Sequence, residues 1–412
     1  MQDFKQFSGT AFIIIYVKKA DALDTRCIKI EKGIHRAGCI MISPQRFIQN
    51  GFIKAENWII QETGEKKHYD SSIVTDHGPG VIIPALINAH THLELSRLKG
   101  EIAFDQGFQN WVRELLWRRQ AYSLEELENG AESGIKELMD SGSGAVGDIS
   151  TLGLTWNILC RSGLAGVWFR EYLGTQTFQD LMPGKHGNLS ASLAGHAPHT
   201  TSPALLKSLS LTAQSKGSPF SIHLAESTDE IEFLATGKGP WADFLGERNI
   251  DFSDWGLPAK TPVKYLDSIG ILNKNTLLVH LIHSRKQDFE IIKQRGAKVC
   301  ICPRSNYNLH KQLPDLEQML KHGIKPCLGT DSLAGTESLS MFDEMAYTGK
   351  NYPNINPGTI IEMAAVNGAK ALGLSQKFGT LEPGKSAVFI YLPLTARKNS
   401  DLLEKIIYES SI

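Results

Sequence analysis

At 412 residues, with 43 Lys and Arg against 44 Asp and Glu and a formal charge of −1, the chain has no cationic excess that would suit nucleic acid or an acidic membrane. Its 42% apolar content and 37 glycines fit an ordinary globular α/β protein and exclude a disordered or fibrous one. Six scattered cysteines without a CxxC pair argue against a disulfide framework.

The apolar run at residues 11–17 has no basic flank before it and no small-residue cleavage site after it. It is too short for a membrane span, so a cytoplasmic location is expected. Residues 10–84 carry short β-like runs, "AFIIIYV", "CIMI", "FIKAENWII" and "GVIIP", broken by glycines and polar turns. From residue 85 short apolar strands alternate with helices. The strands are "VIIPALINAH", "SGAVGDIS", "LAGVWFREY", "LSASLAGHA", "SPFSIHLAE", "TLLVHLIHS", "AKVCICPRS" and "IKPCLGTDS". Between the first two, "FQNWVRELLWRR" sets Phe108, Trp111, Val112, Leu115 and Leu116 on one helical face. The next helix, "SLEELENGAESGIKELMDSG", opens with a Ser/Glu capping pattern and stops at glycine.

Eight strands, each followed by a helix, predict a (β/α)8 barrel over 85–379. A doubly wound open sheet fits less well, because no glycine-rich phosphate turn follows an early strand. "KFGTLEPGKSAVFIYLP" returns to turn-and-strand character, so 1–84 and 380–412 are expected to form one composite β-sandwich.

Barrel enzymes carry their chemistry at the carboxyl ends of the strands. Here those ends are rich in histidine: His90 and His92, His196 and His199, His223, His280 and His283. The eighth strand ends at Asp331. His90 and His92, two apart, share one face of their strand and converge as ligands do. Two histidines from one strand, one from another and an aspartate suit zinc or iron(II). Glu226 follows His223 by three residues, past the strand end and free to move protons. Asp331 is placed both to bind a metal and to accept a proton from water. The blander readings are second-sphere packing for His283, a helix cap for His199 and structural hydrogen bonding for Asp148. His35, His68, His77, His186, His310 and His322 read as surface or core.

"PALINAHTHLE", "HAPHTTSP", "HLAES", "VHLIHS" and "GTDS" together resemble the amidohydrolase superfamily, in the branch of chlorohydrolases, guanine deaminase and adenosine-type deaminases. The resemblance implies one divalent metal, zinc or alternatively iron, on His90, His92, His223 and Asp331. It implies Glu226 as proton shuttle and His280 as the group that orients the attacking water. No lysine ends the fourth strand, where binuclear relatives carry a bridging one.

"HTHLELSRLKG…FQNWVRELLWRR" is similar to the aminodeoxyfutalosine deaminases of menaquinone biosynthesis. Adenosyl-homocysteine relatives hold ribose with a glutamate at the end of that first helix, where this chain has Gln120. The expected substrate contacts are therefore His196, Trp111, Gln120 and Arg170, the last for an anionic group. The expected activity is hydrolytic deamination of an aminopurine nucleoside, with 6-amino-6-deoxyfutalosine as first choice. Guanine or adenosine deamination, chlorohydrolysis and cyclic amide hydrolysis are the alternatives, and a non-catalytic scaffold is the remote one. Expected partners are a small-molecule substrate and a second copy of the chain.

Overall fold

The computed structural model describes residues 25–65, 74–179 and 182–410. The expected strand at 11–17 and His68 lie outside them. Eight parallel strands build the larger part: β1 (Leu86–Thr91), β2 (Ser143–Ser150), β3 (Ala165–Tyr172), β4 (Leu189–Gly195), β5 (Phe220–Leu224), β6 (Thr276–His280), β7 (Lys298–Ile301) and β8 (Cys327–Leu328). Each pairs with the next in chain order. The strands are almost wholly buried because helices cover their outer face while side chains fill the middle. Ile87, Ala89, Ala145, Ile149, Val167, Phe169, Leu277, Val279, Cys300 and Cys327 belong to one interior cluster. The expected (β/α)8 barrel is the observed fold.

The barrel closes where β8 meets β1. The Asp331 N–H donates to the His90 carbonyl at 3.0 Å, and a parallel bridge joins Thr91 to Asp331. Thr91 Oγ1 donates to the Asp331 carbonyl at 2.8 Å, and the Asn88 side chain exchanges hydrogen bonds with Thr330 at 2.7 and 3.1 Å. Gly329 lies in this seam because nothing larger fits: a Cβ there would stand 2.8 Å from His90 Cβ and from its carbonyl oxygen.

Two smaller sheets complete the chain. A five-stranded sheet runs in the order Ile28–Lys29, Val388–Leu392, Val81–Pro84, Cys39–Ser43, Arg46–Gln49. A four-stranded one contains Ile59–Glu65, Gly51–Glu56, Lys32–Arg36 and Val74–Asp76. The carboxyl-terminal strand thus pairs with amino-terminal ones, and "VIIPALINAH" is split at Ala85 between a small-sheet strand and β1. The last segment also holds a helix, Asn399–Tyr408, that the turn-and-strand pattern did not suggest. Leu402, Leu403, Ile406 and Ile407 form its apolar stripe, packed with Met341 and Phe342 of a barrel helix.

Helix α1 (Phe108–Ala121) follows β1, and the helix after it carries the expected capping box between Ser123 and Glu126. No helix among the described residues is long and apolar enough to cross a membrane. Gly329→Ala should cost about 1–3 kcal/mol of stability by overfilling the seam. Chemical denaturation measures it, and an unchanged midpoint would mean the seam has slack.

Candidate metal centre

His90 sits within β1, and His92 lies one residue beyond its end. His223 is in β5, and Asp331 follows β8. The barrel brings all four together. His223 Nε2 is 3.3 Å from His90 Nε2 and 3.3 Å from His92 Nε2. Asp331 Oδ1 is 3.6 Å from His92 Nε2 and 3.9 Å from His90 Nε2. Four atoms each about 2.0–2.1 Å from a tetrahedral zinc stand about 3.3–3.4 Å apart, so this donor set fits one such ion.

The chemistry of the donors fits as well. Burial, and then the neighbouring imidazoles, push His90 and His92 well below the ordinary histidine value, and burial lowers His223 too. All three therefore keep bare lone pairs. The His223 Nδ1–H donates to the His196 carbonyl at 2.8 Å, which turns Nε2 toward the other donors. Asp331 is held by Ser305 Oγ on Oδ2 at 2.5 Å and by the Ser332 N–H on Oδ1 at 2.8 Å. Every cluster of three or more potential metal donors among the described residues belongs to this one site.

Beside it stands Glu226. Burial alone would raise its carboxyl, but His280 and His310 outweigh burial and hold it well below the usual carboxylate range. His310 Nε2 is 3.1 Å from Glu226 Oε1 and His280 Nε2 is 3.7 Å away. His280 is fixed in turn through Nδ1, 2.8 Å from Asn306 Oδ1.

Three of these supports come from one helix, α2 (Pro303–His310), directly after β7. Ser305 reaches Asp331, Asn306 reaches His280 and His310 reaches Glu226. Asn306 and His310 are four apart and share a helix face. The helix is anchored by buried Arg304, whose Nε donates to Glu344 Oε2 at 2.7 Å. His310, read from the sequence as surface or core, is thus a site residue.

The strand ends are strained. Ala225, His280, Leu281 and Asp331 all have positive φ, of 52°, 78°, 55° and 60°. Such conformations cost of the order of 1–3 kcal/mol each and persist only under surrounding constraint. Glu230 supplies one constraint that the sequence reading overlooked. Its Oε1 accepts from the Ala225 N–H and its Oε2 from the Glu226 N–H, both at 2.9 Å. It thereby fixes the turn that presents Glu226.

The expected substrate residues are placed unequally. His196 joins the cluster, its ring 5.1 Å from that of His223 and its Nδ1 2.6 Å from Thr200 Oγ1. Burial pushes it down to about 4. Trp111 is buried under α1, its indole N–H donating to the Ala334 carbonyl at 3.3 Å. Gln120 is exposed on the last turn. Arg170 shares its strand face with Trp168, which packs among the covering helices, and its guanidinium lies against Gly153. Glu171, one residue on, faces inward, its Oε1 3.8 Å from His223 Nδ1.

Among the bland readings, Asp148 is structural: it accepts from the Leu93 N–H at 2.9 Å and from Thr155 Oγ1 at 2.5 Å. Ser202, not His199, caps the following helix. His283 ties the backbone, its N–H donating to the Ala225 carbonyl at 2.9 Å.

Residues 178–409, more than half of the chain, match the model of the amidohydrolase family. The chain belongs to the amidohydrolase family. It is a hydrolase of carbon–nitrogen bonds. Among curated relatives, the aminodeoxyfutalosine deaminase of Deinococcus radiodurans is 29% identical over 71% of this chain and 73% of its own. The 5-methylthioadenosine/S-adenosylhomocysteine deaminase of Moorella thermoacetica is 28% identical over 79% and 76%. The solved Helicobacter pylori aminofutalosine deaminase in complex with methylthio-coformycin superposes with a TM-score of 0.79 at 24% identity, covering 92% of this chain and 96% of that one. A zinc-bound adenosine deaminase from Xanthomonas campestris gives 0.74 at 20% identity, covering 92% and 89%.

Glu230→Ala should lower kcat at least tenfold and destabilise the fold by about 1–3 kcal/mol, because two buried N–H groups lose their acceptor. Glu230→Gln, which keeps one acceptor, should recover part of both. Steady-state rates and denaturation of the two variants measure it, and equal loss in both would refute a positioning role through the acceptors.

Proposed function

We propose that the chain is a metal-dependent hydrolytic deaminase of a 6-aminopurine nucleoside, with 6-amino-6-deoxyfutalosine as the first substrate to try and menaquinone biosynthesis as its setting. The observation that carries this reading is that His223 lies 3.3 Å from both His90 and His92 while Asp331 lies 3.9 and 3.6 Å from the same two, with an ionised Glu226 at their side. The deaminase relatives from Deinococcus and Moorella support the substrate class.

His90, His92, His223 and Asp331 would hold the ion, which when bound makes a water acidic enough to attack near neutral pH. Zinc is the first choice, given the all-nitrogen-and-oxygen donor set. Asp331 accepts a proton from the water as its oxygen bonds to the amine-bearing purine carbon. Glu226, ionised at rest, takes the other proton of the attacking water and delivers it to the adjacent ring nitrogen, and the proton accepted by Asp331 passes on to the amine. The carbon–nitrogen bond breaks, ammonia leaves and the base becomes a 6-oxopurine. His280, with its Nδ1–H committed to Asn306, presents Nε2 as an acceptor that orients the O–H of the attacking water. His310, hydrogen-bonded to Glu226, keeps that carboxylate aimed.

This division of labour matches the general logic of hydrolytic deaminases, in which a glutamate outside the ligand set moves the protons. Ammonia release from 6-amino-6-deoxyfutalosine, adenosine, S-adenosylhomocysteine and guanine tests the activity and ranks the substrates. Glu226→Gln should lose about 10²–10⁴ in kcat while retaining the metal. Full activity in that variant, or no ammonia from any aminopurine, would refute the proposal.

A further inference from the structure

Glu230, which holds the turn presenting Glu226, is itself completely buried. Each of its oxygens accepts one backbone N–H, and no lysine or arginine pairs with it among the described residues. The ionised carboxylate of Glu226 stands on the same turn. Two carboxylate charges so close and so poorly hydrated repel, and a site of this kind keeps only one of them. Burial, reinforced by the Glu226 charge, pushes Glu230 up to about 8, while Glu226 stays ionised. A neutral carboxyl carries an O–H, and a buried O–H needs an acceptor.

His199, on the loop after β4, supplies one. It is 2% exposed, and neither of its ring nitrogens has a hydrogen bond among the described residues. Its Nδ1 stands 3.9 Å from Glu230 Oε2. That gap is too narrow for a bridging water, which would set the two atoms about 4.5 Å apart. A shift of about 1 Å closes it to hydrogen-bond length. Burial lowers His199 well below the ordinary histidine value, so the ring is neutral and keeps an accepting nitrogen. Trp241, on the helix Pro240–Gly246, packs its ring 4.3 Å from the imidazole. Packing under Trp241 accounts for a flat side chain at this position. It does not account for an imidazole with both nitrogens buried and unpartnered beside a carboxyl that lacks an acceptor.

Resting on the deaminase reading above, we propose that His199 is a positioning residue whose Nδ1 accepts the Glu230 O–H. The neutral pair braces the turn that aims Glu226 and adds no second charge beside it. His199 touches no reacting atom; it acts through Glu230.

The test is a double-mutant cycle on the metal-loaded full chain, read as ammonia release from its best aminopurine substrate. His199→Phe keeps the packing against Trp241 and removes the acceptor. It should lower kcat by about 10–100-fold, the cost of a buried donor left unpaired, with KM changed less than about threefold. His199→Asn, whose amide oxygen can stand where Nδ1 does, should recover part of the loss. In a Glu230→Ala background, His199→Phe should cost less than about twofold, because the bond it removes is already gone. Should His199→Phe fail to fold, the infrared difference between wild type and Glu230→Gln at neutral pH decides the matter without any turnover. A carboxylic-acid carbonyl band, shifted in His199→Asn, is expected. Independent losses in the cycle, or carboxylate bands in place of that carbonyl, would overturn the assignment and leave the deaminase reading intact. Absence of ammonia from every aminopurine would overturn that reading, and with it the catalytic purpose of the pair.

Discussion

The seam between β8 and β1 is the constraint on which the site depends. A parallel barrel closes only if its last strand finds the first, and here the joining contacts are made by residues to which we assign the chemistry. The Asp331 N–H bonds the His90 carbonyl, and Thr91 bonds the Asp331 carbonyl. Closing the barrel and assembling three of the four proposed metal donors are therefore one event. His223 enters from the far side of the cylinder on β5, whose own place is fixed by the strands on either side. A donor set spaced for a small divalent ion follows from backbone pairing, with little left to side-chain freedom.

Around that frame the molecule spends stability on aim. Three strand ends take up left-handed backbone at residues that are not glycine, and each is tied down from outside. Glu230 holds the Ala225–Glu226 turn, and helix α2 holds Asp331, His280 and Glu226 at once. The buried Arg304–Glu344 pair fixes α2 to the helix Met341–Asn351. A substitution at that pair would leave a buried charge unmatched, and its effect would reach all three supported side chains together.

How much of this was legible in the sequence follows from distance along the chain. The histidines at strand ends were visible because a period-two strand and a barrel together say where functional groups must sit. Glu226 was visible by its offset from His223. His310 was not, because it reaches Glu226 from a helix 84 residues further on; only its four-residue spacing from Asn306 hinted at a shared face. Glu230 looked like one more carboxylate in a charged helix start. Arg170 was mistaken in direction for a physical reason. Both faces of β3 are apolar, so Val167 and Phe169 inside and Trp168 outside give no alternation from which to read the phase. The helix after the last small-sheet strand was missed because its apolar stripe is only ten residues long.

The side chains of the candidate site are fixed by strand ends, whereas α1 is held by the packing of Phe108, Trp111 and their neighbours. The whole account still turns on the four donors. Elemental analysis of the purified chain should find one transition-metal ion per polypeptide, with the content falling by most of its value in His92→Ala and in His223→Ala while their folds survive. Full-length folded protein that takes up no stoichiometric ion even when zinc is supplied, or that keeps it undiminished in both variants, would contradict it.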